Sequence, residues 1–403
     1  MRDDVILLAG SEETERTPWR PFDPRAVDFL SDLSELLLRT PEFRQWEEVC
    51  AFGFWCRRSK LERMAGRYGS SALRLGVGRV FHIAPSNVPT MFAYTAALGL
   101  LAGNSNVVRL PARRTEGAQA LLEAIDTLLR RGAHQALLPR LSFLHYPRGG
   151  EATAFYSAQC DGRVVWGGDE TVASLRSIPL PPHAAELFFP DRWSLALFSQ
   201  AALSRMEDSE LAELARRFYN DTYSMDQNAC SSPQLVLWLT DGGTSDVRTR
   251  WWEALAAEAQ QRYPLSPFQS ARKLERFTVQ AMTGTPTLAG LTKYGGNLLW
   301  VADLAAPPAG PDYPKGGFGL FYQYAVSALE EVLPMLSPKV QTLVCGGLSP
   351  RETAEYLAEH QAAGVDRIIV PGQALELDAI WDGKDVIAAL SRIIGGCDEA
   401  LSI

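Results

Sequence analysis

The chain has 403 residues, of which 46% are hydrophobic and 21% are charged, with a formal net charge of −8. At about 100–200 residues per domain, this length predicts two or three domains of ordinary globular composition. Scattered basic residues exclude a nucleic-acid partner, no uncharged apolar run of about 18 residues predicts a membrane span, and an acidic start is atypical of a secretory signal, so we expect a cytoplasmic protein.

A series of alternating strands and helices begins near residue 75. The apolar run RVFHIAPSNVP, Arg79 to Pro89, predicts a buried strand that ends in a loop. An apolar helix from about Thr90 to Leu101 should follow, and then a short strand from Asn106 to Leu110. The alternation continues with a helix, a strand, a helix and a strand, predicted at Thr115–Arg131, Leu141–Tyr146, Glu151–Gln159 and Arg163–Trp166. This pattern predicts a largely parallel sheet covered by helices on both faces.

The second half repeats the alternation. A strand at Ser194–Phe198 closes the first series, a domain boundary is expected near Gln200, and Ser209 can cap the next helix. Further strands and one helix are predicted at Leu235–Leu239, Ser245–Tyr263 (the helix), Val340–Val344 and Arg367–Val370. We therefore expect a first domain of residues 1–200, to which residues 378–403 return as a helix, and a second α/β domain of residues 201–377.

Of the six cysteines, Cys230 has the surroundings that point most to chemistry. It lies in MDQNACSSPQLV, among small and polar residues, after a predicted helix and before a predicted strand. The thiolate is the reactive form of cysteine, and helix-end amides at such a position can lower the thiol pKa. The alternative is that Cys230 is a small buried hydrophobic residue. The cysteines form no CxxC pair and the five histidines no HxH or HxxxH, so we expect neither disulfides nor a metal site.

Two segments resemble known motifs. IAPSNVPTMFAYTAALGLLAGNSNVVRLP is similar to the Rossmann-side signature of the aldehyde dehydrogenase superfamily, and DQNACSSPQ is similar to the block around that superfamily's nucleophile. A closer resemblance is to the acyl-CoA reductase family typified by the fatty acid reductase subunit of bacterial luminescence. It adds VVWGGDETV, FPDRWSLALFS, KVQTLV and GVDRIIVPGQALELDAIWDGKDVIAALSR, and spans Leu75 to Arg392. The resemblance implies an aldehyde-dehydrogenase-like α/β fold, with a Rossmann-type cofactor domain and a second α/β catalytic domain.

The same resemblance implies roles for individual residues. Cys230 would be the nucleophile, and Asn87 would donate its side-chain amide to the oxygen that becomes negative during acyl transfer. The alternative for Asn87 is a loop asparagine that satisfies the backbone of its own turn after Pro85.

The implied cofactor is NADPH. Arg109 stands where the superfamily places a basic residue near the adenosine ribose, and Arg113 follows closely in the sequence. A guanidinium suits a 2′-phosphate, which favours NADPH over NADH, although Arg113 could equally belong to a solvated helix start. Gly167 and Gly168 resemble the family's glycine turn beside the nicotinamide half. No GxGxxG follows a strand; GVGRVF, Gly76 to Phe81, could equally be a turn.

The chain also lacks the ELGGK-like block whose glutamate activates water in aldehyde oxidisers. The resemblance therefore implies NADPH-dependent reduction of an acyl thioester, carried by coenzyme A or acyl carrier protein, to an aldehyde through an acyl-cysteine. By family analogy we expect a homo-oligomer. The alternatives are an NAD-dependent aldehyde oxidiser, a catalytically silent scaffold, and a serine hydrolase, which would need a GxSxG motif that the sequence lacks.

Overall fold

A computed structural model describes residues 4–68, 73–148, 151–242, 246–284, 286–308 and 313–395. The chain divides into two compact units, residues 1–190 with 377–403 and residues 191–376. The second unit begins at Asp191 and not near Gln200. The strand predicted at Ser194–Phe198 as the end of the first series spans Trp193–Ser199 and is hydrogen-bonded within the second unit's sheet.

The elements are numbered here in chain order. The strands are β1 (Ile6–Gly10), β2 (Arg74–Gly76), β3 (Arg79–Ile83), β4 (Ser105–Arg109), β5 (Leu141–His145), β6 (Gly162–Trp166), β7 (Ala185–Phe189), β8 (Trp193–Ser199), β9 (Pro233–Leu239), β10 (Leu288–Tyr294), β11 (Leu299–Leu304), β12 (Leu320–Val326), β13 (Val340–Gly346), β14 (Arg367–Ile369), β15 (Ile380–Trp381), β16 (Lys384–Asp385) and β17 (Ser391–Ile393). The α-helices are α1 (Pro24–Arg39), α2 (Glu47–Trp55), α3 (Arg58–Ala65), α4 (Met91–Leu101), α5 (Glu116–Leu129), α6 (Ala152–Ala158), α7 (Asp169–Arg176), α8 (Gln200–Ser204), α9 (Asp208–Thr222), α10 (Asp246–Arg262), α11 (Pro267–Thr283), α12 (Pro350–Glu359) and α13 (Val386–Ala389). Short 3₁₀ helices occupy Pro41–Gln45, Gly66–Tyr68, Gly132–Arg140, Tyr223–Met225, Leu329–Glu331 and Leu333–Met335.

The first unit contains a six-stranded sheet in the order β1-β5-β4-β3-β6-β7. Strand β1 runs antiparallel to β5, and the other pairs are parallel. From β5 the chain crosses over to β6 on the far side of β3, so the strand order reverses between β3 and β6. In open α/β sheets, ligands bind in the crevice outside the carboxyl ends of the strands at such a point.

The apolar runs predicted from the sequence correspond to the buried strands and helix of this sheet. Every residue of β4 and β6 is buried, and all eleven residues of α4 are buried as well. Parallel strands are covered by helices on both faces, which is why the sequence of these elements is apolar without alternation. Thr115 caps α5 by accepting a hydrogen bond from the Ala118 N–H.

A buried polar chain connects three strands and a helix in this core. His82 Nδ1 lies 2.8 Å from Thr95 Oγ1, its Nε2 lies 2.9 Å from Asn106 Oδ1, and Trp166 Nε1 donates to Thr95 Oγ1 at 3.1 Å. Burial lowers the pKa of His82 to about 4, so the imidazole is neutral at pH 7. Gly99 makes room for this chain, because a Cβ there would lie 1.9 Å from Asn106 Oδ1. The chain fixes Trp166, the residue that precedes Gly167.

The second unit contains a seven-stranded sheet in the order β10-β11-β12-β9-β8-β13-β14, in which only β10 is antiparallel to its neighbour. Here the order reverses between β8 and β13. Strands β8 and β13 are buried at every residue. The two sheets confirm the predicted α/β class with largely parallel sheets.

Two local predictions are wrong, and a third falls outside the described residues. The returning segment is not one helix: it forms β15 and β16, the four-residue α13, and β17, which pairs with β2, while residues 396–403 lie outside the described part. The cap of α9 is Glu207, which forms a capping box with Glu210, and not Ser209. Ser245, the predicted start of α10, lies outside the described residues. Across the described ranges, none of the helices combines the length and hydropathy that a membrane crossing requires.

Candidate functional site

Cys230 lies in the loop between the 3₁₀ turn that follows α9 and strand β9. It is partly exposed, whereas Cys56, Cys160 and Cys345 are buried. Burial raises the pKa of Cys160 and of Cys345 to about 11, and raises that of Cys56 as well, so these thiols stay protonated at neutral pH. Cys50 is also partly exposed, and burial raises its pKa too. Cys397 lies outside the described residues. Cys230 is therefore not one of the fully buried, apolar cysteines.

Main-chain and hydroxyl contacts fix Cys230 at the amino edge of the second sheet. Ser194 Oγ donates to the Cys230 carbonyl at 2.6 Å and accepts from the Thr342 N–H at 3.2 Å. Ser194 and Thr342 stand at the amino ends of β8 and β13, the two strands between which the strand order reverses. On the other side of the cysteine, Ser232 Oγ donates to the Asp221 carbonyl at 2.7 Å.

The loop leading to Cys230 has a strained backbone. Asp226 and Gln227 are consecutive non-glycine residues in the left-handed region, with φ of 53° and 60°. Each such residue costs about 1–3 kcal/mol and persists only where the surroundings enforce it. Asp226 Oδ1 accepts hydrogen bonds from Tyr263 Oη at 2.6 Å and from Gln269 Nε2 at 2.8 Å. The Gln227 N–H donates to the Thr222 carbonyl at 2.7 Å.

Arg276, on α11, is a residue that the sequence did not mark. Its Nη2 donates to Asn228 Oδ1 at 2.9 Å, two residues before Cys230, and its Nη1 donates to the Gly316 carbonyl. The guanidinium lies 4.8 Å from the centre of the Phe318 ring. Phe318 belongs to a second left-handed turn, with φ of 56° and a neighbouring Gly319 at 84°. The glycine-rich KGGFG segment was the available sequence signal for this turn.

Asn87 lies in the loop between β3 and α4 and is exposed. Its side-chain amide takes part in none of the hydrogen bonds found among the described residues. The alternative role, satisfying the backbone of its own turn, is therefore not seen in the structure. An exposed amide without an internal partner remains available to a ligand.

Arg109 is the last residue of β4 and is only 9% exposed. Its Nη2 donates to the Tyr146 carbonyl at 3.4 Å, and its guanidinium lies 5.5 Å from the Tyr146 ring centre. No acidic side chain of the described chain lies within salt-bridge distance of it, and burial lowers its pKa. Arg113, four residues on, is exposed, while Arg114 is held in its own loop by the Pro111 carbonyl at 3.2 Å.

Gly167 and Gly168 connect β6 to α7, and neither has the left-handed backbone that requires glycine. Gly168 has φ of −64°. A Cβ at Gly168 would meet nothing within 4 Å, and one at Gly167 would meet Thr171 Cγ2 at 3.1 Å. Neither backbone strain nor internal packing therefore explains the glycine at position 168.

Within the first unit, the predicted residues share one edge of the sheet. Asn87 follows β3, Arg109 and Arg113 end and follow β4, and Gly167 and Gly168 follow β6. These three strands are neighbours, and their carboxyl ends form the edge where the strand order reverses.

Two other kinds of site receive no support. In the part of the chain that the structure describes, no group of three or more His, Cys, Asp or Glu side chains could hold a metal ion. The histidines contact side chains or carbonyls of Thr95, Asn106, Asp32, Leu110, Asp161 and Tyr356, and none of these described contacts is to a serine. Among the described residues, no serine is thus paired with a histidine.

The family described as Acyl-CoA reductase (LuxC) matches residues 56–394. A search of curated protein sequences found no match.

Solved structures share the fold. A variant of 1-pyrroline-5-carboxylate dehydrogenase from Thermus thermophilus is 14% identical, with a TM-score of 0.64 over 93% of this chain and 82% of that one. The Thermus enzyme with bound NAD gives 14% identity and a TM-score of 0.61, covering 93% of this chain and 81% of that one. An E. coli NADP-dependent enzyme is 14% identical, with a TM-score of 0.61 over 92% of this chain and 83% of that one. These similarities confirm the predicted aldehyde-dehydrogenase-like fold.

The open space at Gly168 generates a prediction. Gly168→Ala should change the free energy of unfolding by less than about 0.5 kcal/mol, since the new methyl group meets no protein atom. If a dinucleotide approaches this backbone, the same methyl group should weaken its binding about tenfold, the effect of a modest steric overlap. Thermal unfolding and cofactor titration by fluorescence measure the two effects. The control is Gly132→Ala, at another position with nothing within 4 Å of the new Cβ. Unchanged cofactor affinity in Gly168→Ala would remove Gly168 from the site.

Proposed function

The chain belongs to the acyl-CoA reductase (LuxC) family, and from that premise we propose that it transfers an acyl group from a thioester to Cys230 and releases it, reduced, as an aldehyde. Family and fold make the protein an oxidoreductase of aldehyde chemistry; the thioester, the nucleophile and the cofactor are the proposal. The observation that carries it is the state of Cys230, a partly exposed thiol on a strained and heavily anchored loop. Strain maintained by surrounding contacts is common at functional sites.

The first step is acyl transfer. The Cys230 thiolate attacks the thioester carbonyl, a carbon–sulfur bond to Cys230 forms, and the bond to the carrier sulfur breaks. The carrier thiolate leaves and takes up a proton. Coenzyme A and acyl carrier protein present the same phosphopantetheine thioester, so either fits this step.

The developing oxyanion needs hydrogen-bond donors that are free to bind it. We assign this role to the side-chain amide of Asn87 and to the backbone N–H of Cys230. The absence of an internal hydrogen bond to the Asn87 amide supports the assignment, because a donor already paired within the protein would have to break that bond first.

The residues of the first unit suit a dinucleotide with an additional phosphate. Arg109 is a buried guanidinium without an acidic partner among the described residues, and such a group is costly unless an anion compensates it. Arg113 would add a second, exposed positive charge, and Gly167 and Gly168 would allow close approach to the backbone. When bound, NADPH supplies the hydride that reduces the acyl group. The similar folds include one solved with NAD and one named NADP-dependent, which supports a nicotinamide cofactor of either kind.

Mass spectrometry of the intact protein tests the acyl-enzyme. After mixing with a series of acyl-coenzyme A esters in the absence of cofactor, wild type should gain the mass of one acyl group, and Cys230→Ala should gain none. NADPH should then discharge the adduct with formation of aldehyde. Cys50→Ala is the matched control, since Cys50 is the other partly exposed cysteine among those described, and it should acylate normally. Discharge to free acid without cofactor would instead support a hydrolytic aldehyde oxidiser, and no adduct with coenzyme A or carrier-protein esters would leave the scaffold alternative.

Asn87→Ala should slow acylation by roughly 10²–10³-fold, the effect of losing one oxyanion donor. Its affinity for the cofactor and its thermal unfolding should stay close to wild type, because the exposed side chain has no internal partner. Rapid-quench measurement of acyl-enzyme formation gives the rate. Ser86→Ala, an exposed neighbour in the same loop, should acylate at the wild-type rate. A normal acylation rate in Asn87→Ala would contradict the assigned role.

Arg109→Met should raise the KM for NADPH by about 10–100-fold, the effect of losing charge-assisted hydrogen bonds worth roughly 1.5–3 kcal/mol. The KM for NADH should change little, because NADH lacks the 2′-phosphate. Steady-state kinetics with both cofactors measure the ratio, and Arg114→Met controls for general loss of positive charge. An equal rise in KM for the two cofactors would mean that Arg109 does not bind the 2′-phosphate.

A further inference from the structure

We propose that Arg276 is a positioning residue that holds the loop carrying Cys230 in its active conformation, and that the buried face of α11 is built for this role. The proposal rests on the proposed function, in which Cys230 is the nucleophile. It adds a helix that no motif of the sequence connected with the site.

Helix α11 turns mainly polar side chains inward, beside Phe277, which packs against Trp300, and it leaves several apolar side chains exposed. The inward-facing residues recur at intervals of four, three and four, and each donates a hydrogen bond to a loop or turn: Gln269 to Asp226, Lys273 to the Asn297 and Leu298 carbonyls, Arg276 to Asn228 and the Gly316 carbonyl, and Gln280 to the Pro286 carbonyl. The outward-facing apolar side chains are largely exposed: Phe268 by 71%, Leu274 by 53%, Val279 by 55% and Met282 by 81%. A surface helix ordinarily shows the opposite pattern. The polar stripe therefore stabilises loops, alongside the packing of Phe277 on the core.

Two members of this stripe act on the Cys230 loop itself. Gln269 and Arg276 bind Asp226 and Asn228, the residues on either side of Gln227. Asp226 and Gln227 carry the left-handed strain, so the helix holds both ends of the strained segment. Without these contacts the segment can relax toward ordinary backbone angles, and Cys230 would move with it.

Arg276 also joins this loop to the turn around Phe318. One guanidinium nitrogen donates to Asn228 and the other to the Gly316 carbonyl, while the Phe318 N–H donates to the Asp226 carbonyl at 3.0 Å. Space for the guanidinium depends on Gly317, since a Cβ there would lie 1.6 Å from Arg276 Nη1. Gly317 has φ of 139°, which also favours glycine.

Arginine is suited to bind two acceptors that lie in different directions, as the Gly316 carbonyl and Asn228 Oδ1 do here. Both acceptors of Arg276 are neutral oxygens, and no carboxylate among the described residues lies within ion-pair distance. A planar guanidinium can serve two acceptors in fixed directions with one side chain, whereas a lysine ammonium is a point donor on a flexible stem. Lysine at this position would keep the charge and lose the bridge.

Three variants distinguish the loss of the hydrogen-bonded bridge from the loss of charge and from a general effect on folding. Arg276→Lys retains the charge, Arg276→Met removes it, and Arg272→Met, at an exposed position of the same helix, is the control. Each is alkylated with iodoacetamide from pH 6 to pH 10, labelling at Cys230 is followed by peptide mass spectrometry, and acyl-enzyme formation and NADPH binding are measured in parallel.

We expect both Arg276 variants to form the acyl-enzyme about a hundredfold more slowly, the effect of a small misplacement of a reacting group, with NADPH affinity unchanged. In Arg276→Met the pH midpoint of alkylation should rise, because a positive charge held at Asn228, two residues before Cys230, is lost, while in Arg276→Lys it should stay near wild type. If Arg276→Met fails to fold, Arg276→Lys alone decides the matter. Acylation in Arg276→Lys at the rate of Arg272→Met would overturn the proposal.

The alkylation profile needs no acyl substrate, so it distinguishes two failures. If wild type forms no acyl-enzyme with any thioester, the proposed function fails, and the effect of Arg276 on the Cys230 profile still tests the positioning role. If wild type acylates normally and both profiles and rates are unaffected by Arg276, the positioning role fails alone.

Discussion

The burial of parallel strands on both faces determines where this protein can carry chemistry. Strands β4, β6, β8 and β13 are buried at every residue, so their middle sections present only packing surfaces. Polar and reactive groups are confined to the strand ends and to the loops that continue them. The first unit places its candidate residues after the carboxyl ends of β3, β4 and β6, and the second places Cys230 before the amino end of β9.

The two edges use different devices to make a group available. At the first edge, Arg109 is buried with one long hydrogen bond, and the amide of exposed Asn87 has no partner among the described residues. The buried guanidinium of Arg109 is costly unless an anion compensates it, whereas the exposed Asn87 amide is hydrated until a ligand replaces the water. At the second edge, hydrogen bonds fix the backbone around the thiol. Ser194 donates to the Cys230 carbonyl, and α11 binds the strained residues that precede Cys230. The first edge therefore presents side chains that a ligand can bind, and the second holds the loop of its nucleophile candidate in one conformation.

Helix α11 shows that polarity patterns alone can mislead. Its exposed Phe268 and Met282 and its buried Lys273 are the reverse of the pattern expected for a surface helix. The reversal is explained by its neighbours, because the polar inward-facing side chains meet loops and turns whose oxygens accept their hydrogen bonds, while Phe277 packs against Trp300.

The sequence alone determined the α/β class, most strands of both sheets, the family, and Cys230 as the cysteine worth attention, because apolar runs, turn residues and short motifs are local signals. Helix α11, the edge strand β10 and the irregular return of the chain after Leu377 were not predicted, because their patterns are reversed, half-exposed or broken into elements of two to four residues. Only the tertiary structure brought Arg276 to Asn228, 48 residues away in sequence, showed that packing does not require glycine at position 168, and left Arg109 buried with no acidic partner among the described residues. These facts depend on distances between residues far apart in the chain, and no local pattern encodes them.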